Sequence, residues 1–318
     1  MNRKVIYALG LLILIGMHAC EESIDIDTLR AEEERYFQLY MDANYPDLEP
    51  TASGLYYIEV KEGSGASPDT GDYVLINYLA YTIPDETVVD TYNEDWAQQY
   101  NLYTTGVMYG PYKYKHGTEM AGMREGVSMM KEGGIARLIF QSDLGYGENG
   151  LGNIGDFESL MYDIELVEVI EDVFSEEQQR ISEYLSENPG YTTIVDEDSG
   201  EEIYYFEDEK GDSVLVEEKD EVEVFYKGQL LDGRVFDSNQ GQSSGFKFEV
   251  GKEEVIKGWD LGITYFRYGG KGRLLIPHQL AYGEEGSIAS GTSKTSIPPV
   301  EALLFEIEVV KTDPDSKN

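Results

Sequence analysis

The chain has 318 residues, room for two domains of ordinary size. Its formal net charge of −38, from 62 acidic against 24 basic side chains, repels nucleic-acid phosphates, so nucleic acid is excluded as a partner. One cysteine, Cys20, excludes an intramolecular disulfide, and His116 and His278 are too few and too scattered for a zinc site or a catalytic dyad.

Residues 1–19 read as a secretory signal peptide: Arg3 and Lys4, an apolar run over 5–17, and small Ala19 at the cut. The run is too short for a comfortable membrane span. With Cys20 directly after the cut, the segment resembles a bacterial lipoprotein signal, which implies lipidation of Cys20 and anchoring to the cell envelope, on the periplasmic or surface side of the outer membrane. The following Glu21-Glu22 pair resembles the acidic export signal of surface lipoproteins.

A helix is predicted over 27–45, capped by Asp27, with Leu29, Tyr36, Phe37, Tyr40 and Met41 at helical spacing; it belongs to a linker over 20–50. Strands follow at 55–60 and 73–81, the latter with Val74, Ile76, Tyr78 and Ala80 on one face. Residues 91–115 are tyrosine-rich, with a short helix over 93–100 and loop or edge strand beyond. Strands return at 135–140 and at 160–170, where Leu160, Tyr162, Ile164 and Leu166 alternate with acids. GYGENG at 145–150 fits a dinucleotide-binding motif in spelling only, because loop and strand follow it where a helix is required. A second helix covers 174–188, with Ser175 and Gln178 as a capping box and Phe174 as a hydrophobic staple. Beyond it come an acidic hairpin over 191–206, a sheet over 214–310 and a polar tail.

The order repeats. GLYYIEV at 54–60 matches EIYYFED at 202–208. Gly122 to Tyr146 and Gly258 to Tyr282 each span 24 positions, and Ile154 to Tyr162 and Ile297 to Phe305 each span eight. Two related domains are therefore expected, at 51–172 and 191–312, joined by a linker helix at 173–190 and followed by a tail at 313–318.

In the second half, Tyr226, Phe236, Phe246, Phe248, Trp259, Tyr282 and Phe305 are too many large rings for a surface and are expected to line a concavity, Phe248 excepted as core. They lie in VFYKG, GRVFDS, EVIKGWDLG, LAYG and IPP, and with these segments the half resembles the FKBP-type peptidyl-prolyl isomerases. The resemblance implies an α+β fold in each half, a curved antiparallel sheet wrapped around a short helix (257–263 in the second half), with a helix preceding each domain. It further implies a proline pocket with Trp259 as floor, Tyr226, Phe246, Val255, Ile256 and Phe305 as walls, Phe236 beside them, and Ile297 closing one side of the entrance. Asp237 would stand at its edge. Tyr282 and the Ile256 backbone N–H would be donors to substrate carbonyls. No cofactor or metal is implied. Two departures stand out: Gln242 occupies a position that is often basic, and the segment between Tyr282 and Ile297 is long.

The function implied is cis–trans isomerisation of X–Pro bonds in unfolded, exported polypeptides. The alternative is an envelope lipoprotein that keeps the fold and binds peptides or proteins without catalysis. In the first half Tyr78, Asp90, Tyr146 and Tyr162 match pocket positions, but Met123 replaces the tryptophan, Val89 replaces Phe236 and Gly155-Asp156 replaces Pro298-Pro299. Weak or no activity is expected there, with loose holding of apolar segments on the adaptable Met as one role and a ligand-free scaffold as the other.

Overall fold

The structure, a computed structural model, describes residues 25–310 apart from Ser213; the expected signal peptide, Cys20 and the tail lie outside the described residues. Among the described residues no helix is long and apolar enough to cross a membrane.

The first half opens with α1 (Ile26–Asn44), followed by β1 (Tyr56–Lys61), β2 (Tyr73–Ile83), β3 (Thr87–Thr91), α2 (Glu94–Gln99), β4 (Tyr112–Lys115), α3 (Ala121–Ser128), β5 (Ile135–Phe140) and β6 (Ser159–Ile170). The second half runs α4 (Val173–Glu187), β7 (Thr192–Val195), β8 (Glu202–Glu209), β9 (Glu221–Leu230), β10 (Val235–Ser238), β11 (Phe246–Glu249), α5 (Lys257–Ile263), β12 (Lys271–Ile276), β13 (Ser287–Ile288), β14 (Thr295–Ile297) and β15 (Leu303–Val309). The strand orders are β1-β5-β6-β2-β3, with β4 also on β2, and β10-β9-β15-β12-β8-β7, with β11 also on β9. These are one topology written twice, with β7 added at an edge, and every pairing is antiparallel.

Each sheet curls around one short helix, and glycines set how closely. An added Cβ would lie 2.8 Å from the Phe140 ring at Gly122 and 2.5 Å from Leu274 at Gly262; Gly126 and Gly258 are equally tight against Leu138 and Ile276. The i, i+4 glycine pairs give α3 and α5 a face without side chains, so the helices sit directly on the apolar floor of β5 and β12.

The opposite faces are covered by the helices that precede the domains. In α1, Phe37, Tyr40 and Met41 are buried against Ile139 and Met161; in α4, Ile181 is buried against Leu275, Ala302 and Leu304. Two expected caps are corrected. The residue before α1 is Asp25, and Asp27 lies inside the first turn. Helix α4 is capped by Asp172, whose carboxylate accepts from the Ser175 N–H at 3.0 Å and from its hydroxyl at 2.6 Å; Ser175 is thus a donor inside the helix. Phe174 does not staple the turn; it is exposed at its edge, with its ring 5.4 Å from that of His278.

The halves are tied together. Lys113 on β4 donates to the Glu301 carboxylate at 2.9 Å and the Val300 carbonyl at 3.2 Å, and Arg180 on α4 donates to the other Glu301 oxygen at 3.0 Å. Met108, in the tyrosine-rich insertion, is buried within the core of the second half. Besides the tyrosine-rich insertion with α2 between β3 and β4, the two copies differ after the turns at Gly150 and Gly286. In the first half the chain returns at once, through a bridge between Leu151 and Ile154. In the second it travels from Gly286 to Ile297 by way of the β13–β14 hairpin.

Candidate functional site

Strand β9 carries Tyr226, β10 carries Phe236 and Asp237, β11 carries Phe246, β15 carries Phe305, and the start of α5 carries Ile256 and Trp259. They surround a cavity of about 170 Å³ that Val255 and Tyr282 complete. Trp259 is 4% exposed and stands at its base, with Tyr226 and Phe305 edge-on to the indole at centroid distances of 5.1 Å each and interplanar angles of 88° and 80°. Phe236 meets Phe305 in the same manner at 5.5 Å. This edge-to-face box fixes the rings while leaving an apolar hollow the size of a small ring between them. Phe248, expected as core, is 2% exposed behind Phe246 and Trp259.

Consecutive residues of a strand point to opposite faces, yet Phe236 and Asp237 both line the cavity. The reason is a register shift between Val235 and Asp237 against β9, a bulge that turns two neighbours to the same side. The Tyr226 hydroxyl donates to Asp237 Oδ2. Burial, then this hydrogen bond, pushes Tyr226 well above its ordinary value, so it remains a donor and the carboxylate stays oriented. Tyr282 is raised by burial and then by the Asp237 charge, and is therefore neutral; no side chain among the described residues takes its hydroxyl proton. Ile256 precedes α5 with φ −60° and ψ 148°; its carbonyl accepts from the Trp259 N–H at 2.9 Å. Among the described residues no oxygen accepts from its own N–H. The indole N–H of Trp259 is likewise buried without a partner among the described residues.

The structure thus gathers Asp237, Tyr282, Ile256, Trp259, Tyr226, Phe236, Phe246, Val255 and Phe305 around one hollow. Ile297 is the exception. Expected at the entrance, it is 3% exposed and lies in the core, because β14 is tied to Ser287 of β13 and turns it inward. Two contributors escaped the sequence. Glu254 lines the rim and accepts from the Glu249 N–H at 3.1 Å. Gly228 lies under two walls: a Cβ there would stand 2.5 Å from Phe236 and 2.8 Å from Phe305. The signal for Gly228 was present, as the glycine closing VFYKG; Glu254 gave none beyond its place in an acidic run.

The first half repeats the frame. A bulge between Ala80 and Tyr81 against β3 turns both Val89 and Asp90 into a cavity of about 200 Å³, and the Tyr78 hydroxyl donates to Asp90 Oδ2 at 2.6 Å. Met120 precedes α3 with φ −57° and ψ 152°, the conformation of Ile256. Met123 is buried at 5% exposure. Thr292, Ser293 and Lys294 of the second half form one side of this cavity, and the Lys294 ammonium donates to Asp90 Oδ1.

Comparison with known proteins gives a consistent picture. The family model described as FKBP-type peptidyl-prolyl cis-trans isomerase matches residues 65–167 and 213–310. The chain is 46% identical over 92 residues to "Peptidyl-prolyl cis-trans isomerase FPR2" of Saccharomyces cerevisiae, covering 29% of this chain and 64% of that one. It is 36% identical over 128 residues to "FKBP-type 22 kDa peptidyl-prolyl cis-trans isomerase" of Escherichia coli, covering 40% and 57%. It is 44% identical over 89 residues to "FK506-binding protein 4" of Dictyostelium discoideum, covering 28% and only 22%. Less than two thirds of each of these relatives is therefore spanned.

Proposed function

Because the chain belongs to the FKBP-type peptidyl-prolyl cis-trans isomerase family, we propose that its second half isomerises X–Pro bonds in unfolded exported polypeptides, at the cavity above Trp259. The observation that carries this reading is the convergence of Trp259, Phe236, Asp237 and Tyr282 on one apolar hollow with unused donors at its rim.

The chemistry follows from the amide. Turning an X–Pro bond costs about 18–20 kcal/mol because resonance is lost at the twisted state, and uncatalysed turnover takes ~10–100 s. No proton transfer, nucleophile or metal is required by such a step. A dry hollow that seats the pyrrolidine ring strips the carbonyl of the water that stabilises the planar, charge-separated form, and so favours the twisted one. In this reading the proline ring sits on Trp259 between Tyr226, Phe236, Phe246 and Phe305. The Ile256 N–H and the Tyr282 hydroxyl hold flanking carbonyls. Asp237, oriented by Tyr226, faces the carbonyl that turns.

The site is also read as anchored. Arg3, Lys4, the apolar 5–17 run, Ala19 and Cys20 support lipid attachment at Cys20 and a place in the cell envelope, with unfolded exported chains as substrates.

The test is the cis-to-trans rate of short X–Pro peptides with the full chain. Wild type should accelerate it, Tyr282→Phe should lower kcat/KM about two- to tenfold for one lost hydrogen bond, and Asp237→Val should lower it further. A wild-type rate equal to buffer overturns the enzyme and leaves a non-catalytic binding lipoprotein. For the anchor, Cys20→Ser should move the protein from the membrane fraction to the soluble one; no change in partition removes the lipid.

A further inference from the structure

The first-half cavity contains a charge arrangement that a proline site does not need. Asp90 Oδ2 is taken by the Tyr78 hydroxyl at 2.6 Å, while Oδ1 accepts from the Thr91 N–H at 2.9 Å and from the Lys294 ammonium. The same ammonium donates to the Thr91 carbonyl at 2.7 Å and stands 4.7 Å above the Tyr92 ring. A carboxylate, a carbonyl and an aromatic face converging on one point make a receptor for an alkylammonium group. Both partners are largely desolvated, the Lys294 side chain at 17% exposure and that of Asp90 at 27%. The backbone beside Lys294 is tied down too: the Thr295 N–H donates to the Tyr92 hydroxyl at 2.6 Å, and its carbonyl accepts from the Met108 N–H at 3.0 Å.

Lys294 lies in the β13–β14 hairpin, a stretch that the first copy lacks. The base of that hairpin is bonded to the segment that carries Tyr282. The Gly286 N–H donates to the Tyr282 carbonyl at 3.2 Å, and the Val300 N–H to the Gly283 carbonyl at 3.0 Å. The tip is held by the first half and the base holds Tyr282.

We infer that Asp90, Thr91 and Tyr92, at the edge of the first-half cavity, form a binding site for a lysine side chain, that Lys294 is its resident occupant, and that through this contact the first half positions the hairpin whose base is bonded to Tyr282. Asp90 and Tyr92 are positioning residues, since neither touches the isomerase pocket. The binding part of the inference stands on its own; the positioning part rests on the isomerase reading of that pocket.

Trypsin cleaves after lysine, so the full chain reports on its own latch at the bond following Lys294. Asp90→Asn keeps the cleavage site and removes the charge partner; it should speed cleavage after Lys294 by about tenfold or more, the scale expected when one member of a desolvated pair is left alone. Tyr92→Phe should give a smaller increase, and Asp90→Glu should restore part of the protection. Cleavage as slow as in wild type in Asp90→Asn, with an unchanged melting temperature, overturns the lysine site. Should Asp90→Asn not fold, Tyr92→Leu, which removes the aromatic face above the ammonium, decides by the same measure. The positioning part is read from kcat/KM on X–Pro peptides that differ in the residue before proline. Release of the latch should change the ranking of those peptides, and an unchanged ranking in a variant whose latch is open overturns it. If wild type shows no isomerase activity, the failure is that of the isomerase reading, and the cleavage result still decides the lysine site.

Discussion

At the scale of the residue, the site depends on one side chain that is absent. Gly228 sits where the Phe236 and Phe305 rings close over β9, and an added methyl would lie 2.5 Å from one and 2.8 Å from the other. Gly228→Ala should therefore cost about 1–3 kcal/mol, the range for overpacking a dense interior. It should also push Phe236 into the hollow. The expected outcome is a lower melting temperature together with a KM for X–Pro peptides raised several-fold; wild-type values of both would show that the rings can move apart freely. The polar residues are arranged with similar economy. Asp237 is held by Tyr226 and faces Tyr282, and burial keeps both phenols protonated, so a carboxylate and two neutral hydroxyls coexist in one rim.

At the scale of the element, α4 is more than a spacer. Its Glu177 is fully buried and accepts from the His278 backbone N–H at 2.9 Å, with its other oxygen 2.5 Å from His278 Nδ1. His278 lies on the turn that leads to Tyr282. Glu177→Ala leaves the buried His278 N–H without its acceptor and should cost about 1–3 kcal/mol, with Glu177→Gln costing less because it keeps an acceptor for the N–H. Equal unfolding midpoints for the two variants would overturn this account. The elements themselves were largely legible in the sequence, since the alternation over 160–170 and the matched spacings from Gly122 and Gly258 reflect period and repeat, which are local. The turns of chain that aim side chains were less so. Whether Phe236 and Asp237 share a face depends on a bulge set by pairing with β9, and the cap of α4 depends on a choice between Asp172 and Ser175 that either residue type would satisfy. The placement of Lys294 on Asp90 joins positions 204 residues apart, and no pattern within either segment encodes it.

At the scale of the molecule, burial of tyrosine sets a limit on the alkaline side. Tyr78, Tyr114 and Tyr162 are held protonated well above the ordinary value of 10.0, first by desolvation and, for Tyr78, next by the Asp90 charge. Tyr81, Tyr204 and Tyr205 are pushed up to about 12. An unfolded chain gives up these protons near pH 10 while the folded chain keeps them, so the folded state is the better proton binder above that point. Stability from these groups is complete below pH 10 and is lost as pH rises from 10 toward 12 and beyond. The melting temperature should fall steadily over that window, with the phenolate absorbance of the buried tyrosines appearing together with unfolding. A constant melting temperature to pH 12, or full ionisation of the tyrosines in a chain that stays folded, would contradict it.

The contact between the halves also bears on the order in which the chain is made. Synthesis delivers the N-terminal end first, and domains fold as units in that order. Asp90, Tyr92 and Met108 leave the ribosome well before Thr295 and Lys294, so the first domain spends the remainder of translation with Asp90 lacking its ammonium partner and Met108 without the core that receives it. The last strands therefore finish two domains at once, and a chain that stops short of residue 294 is incomplete in both.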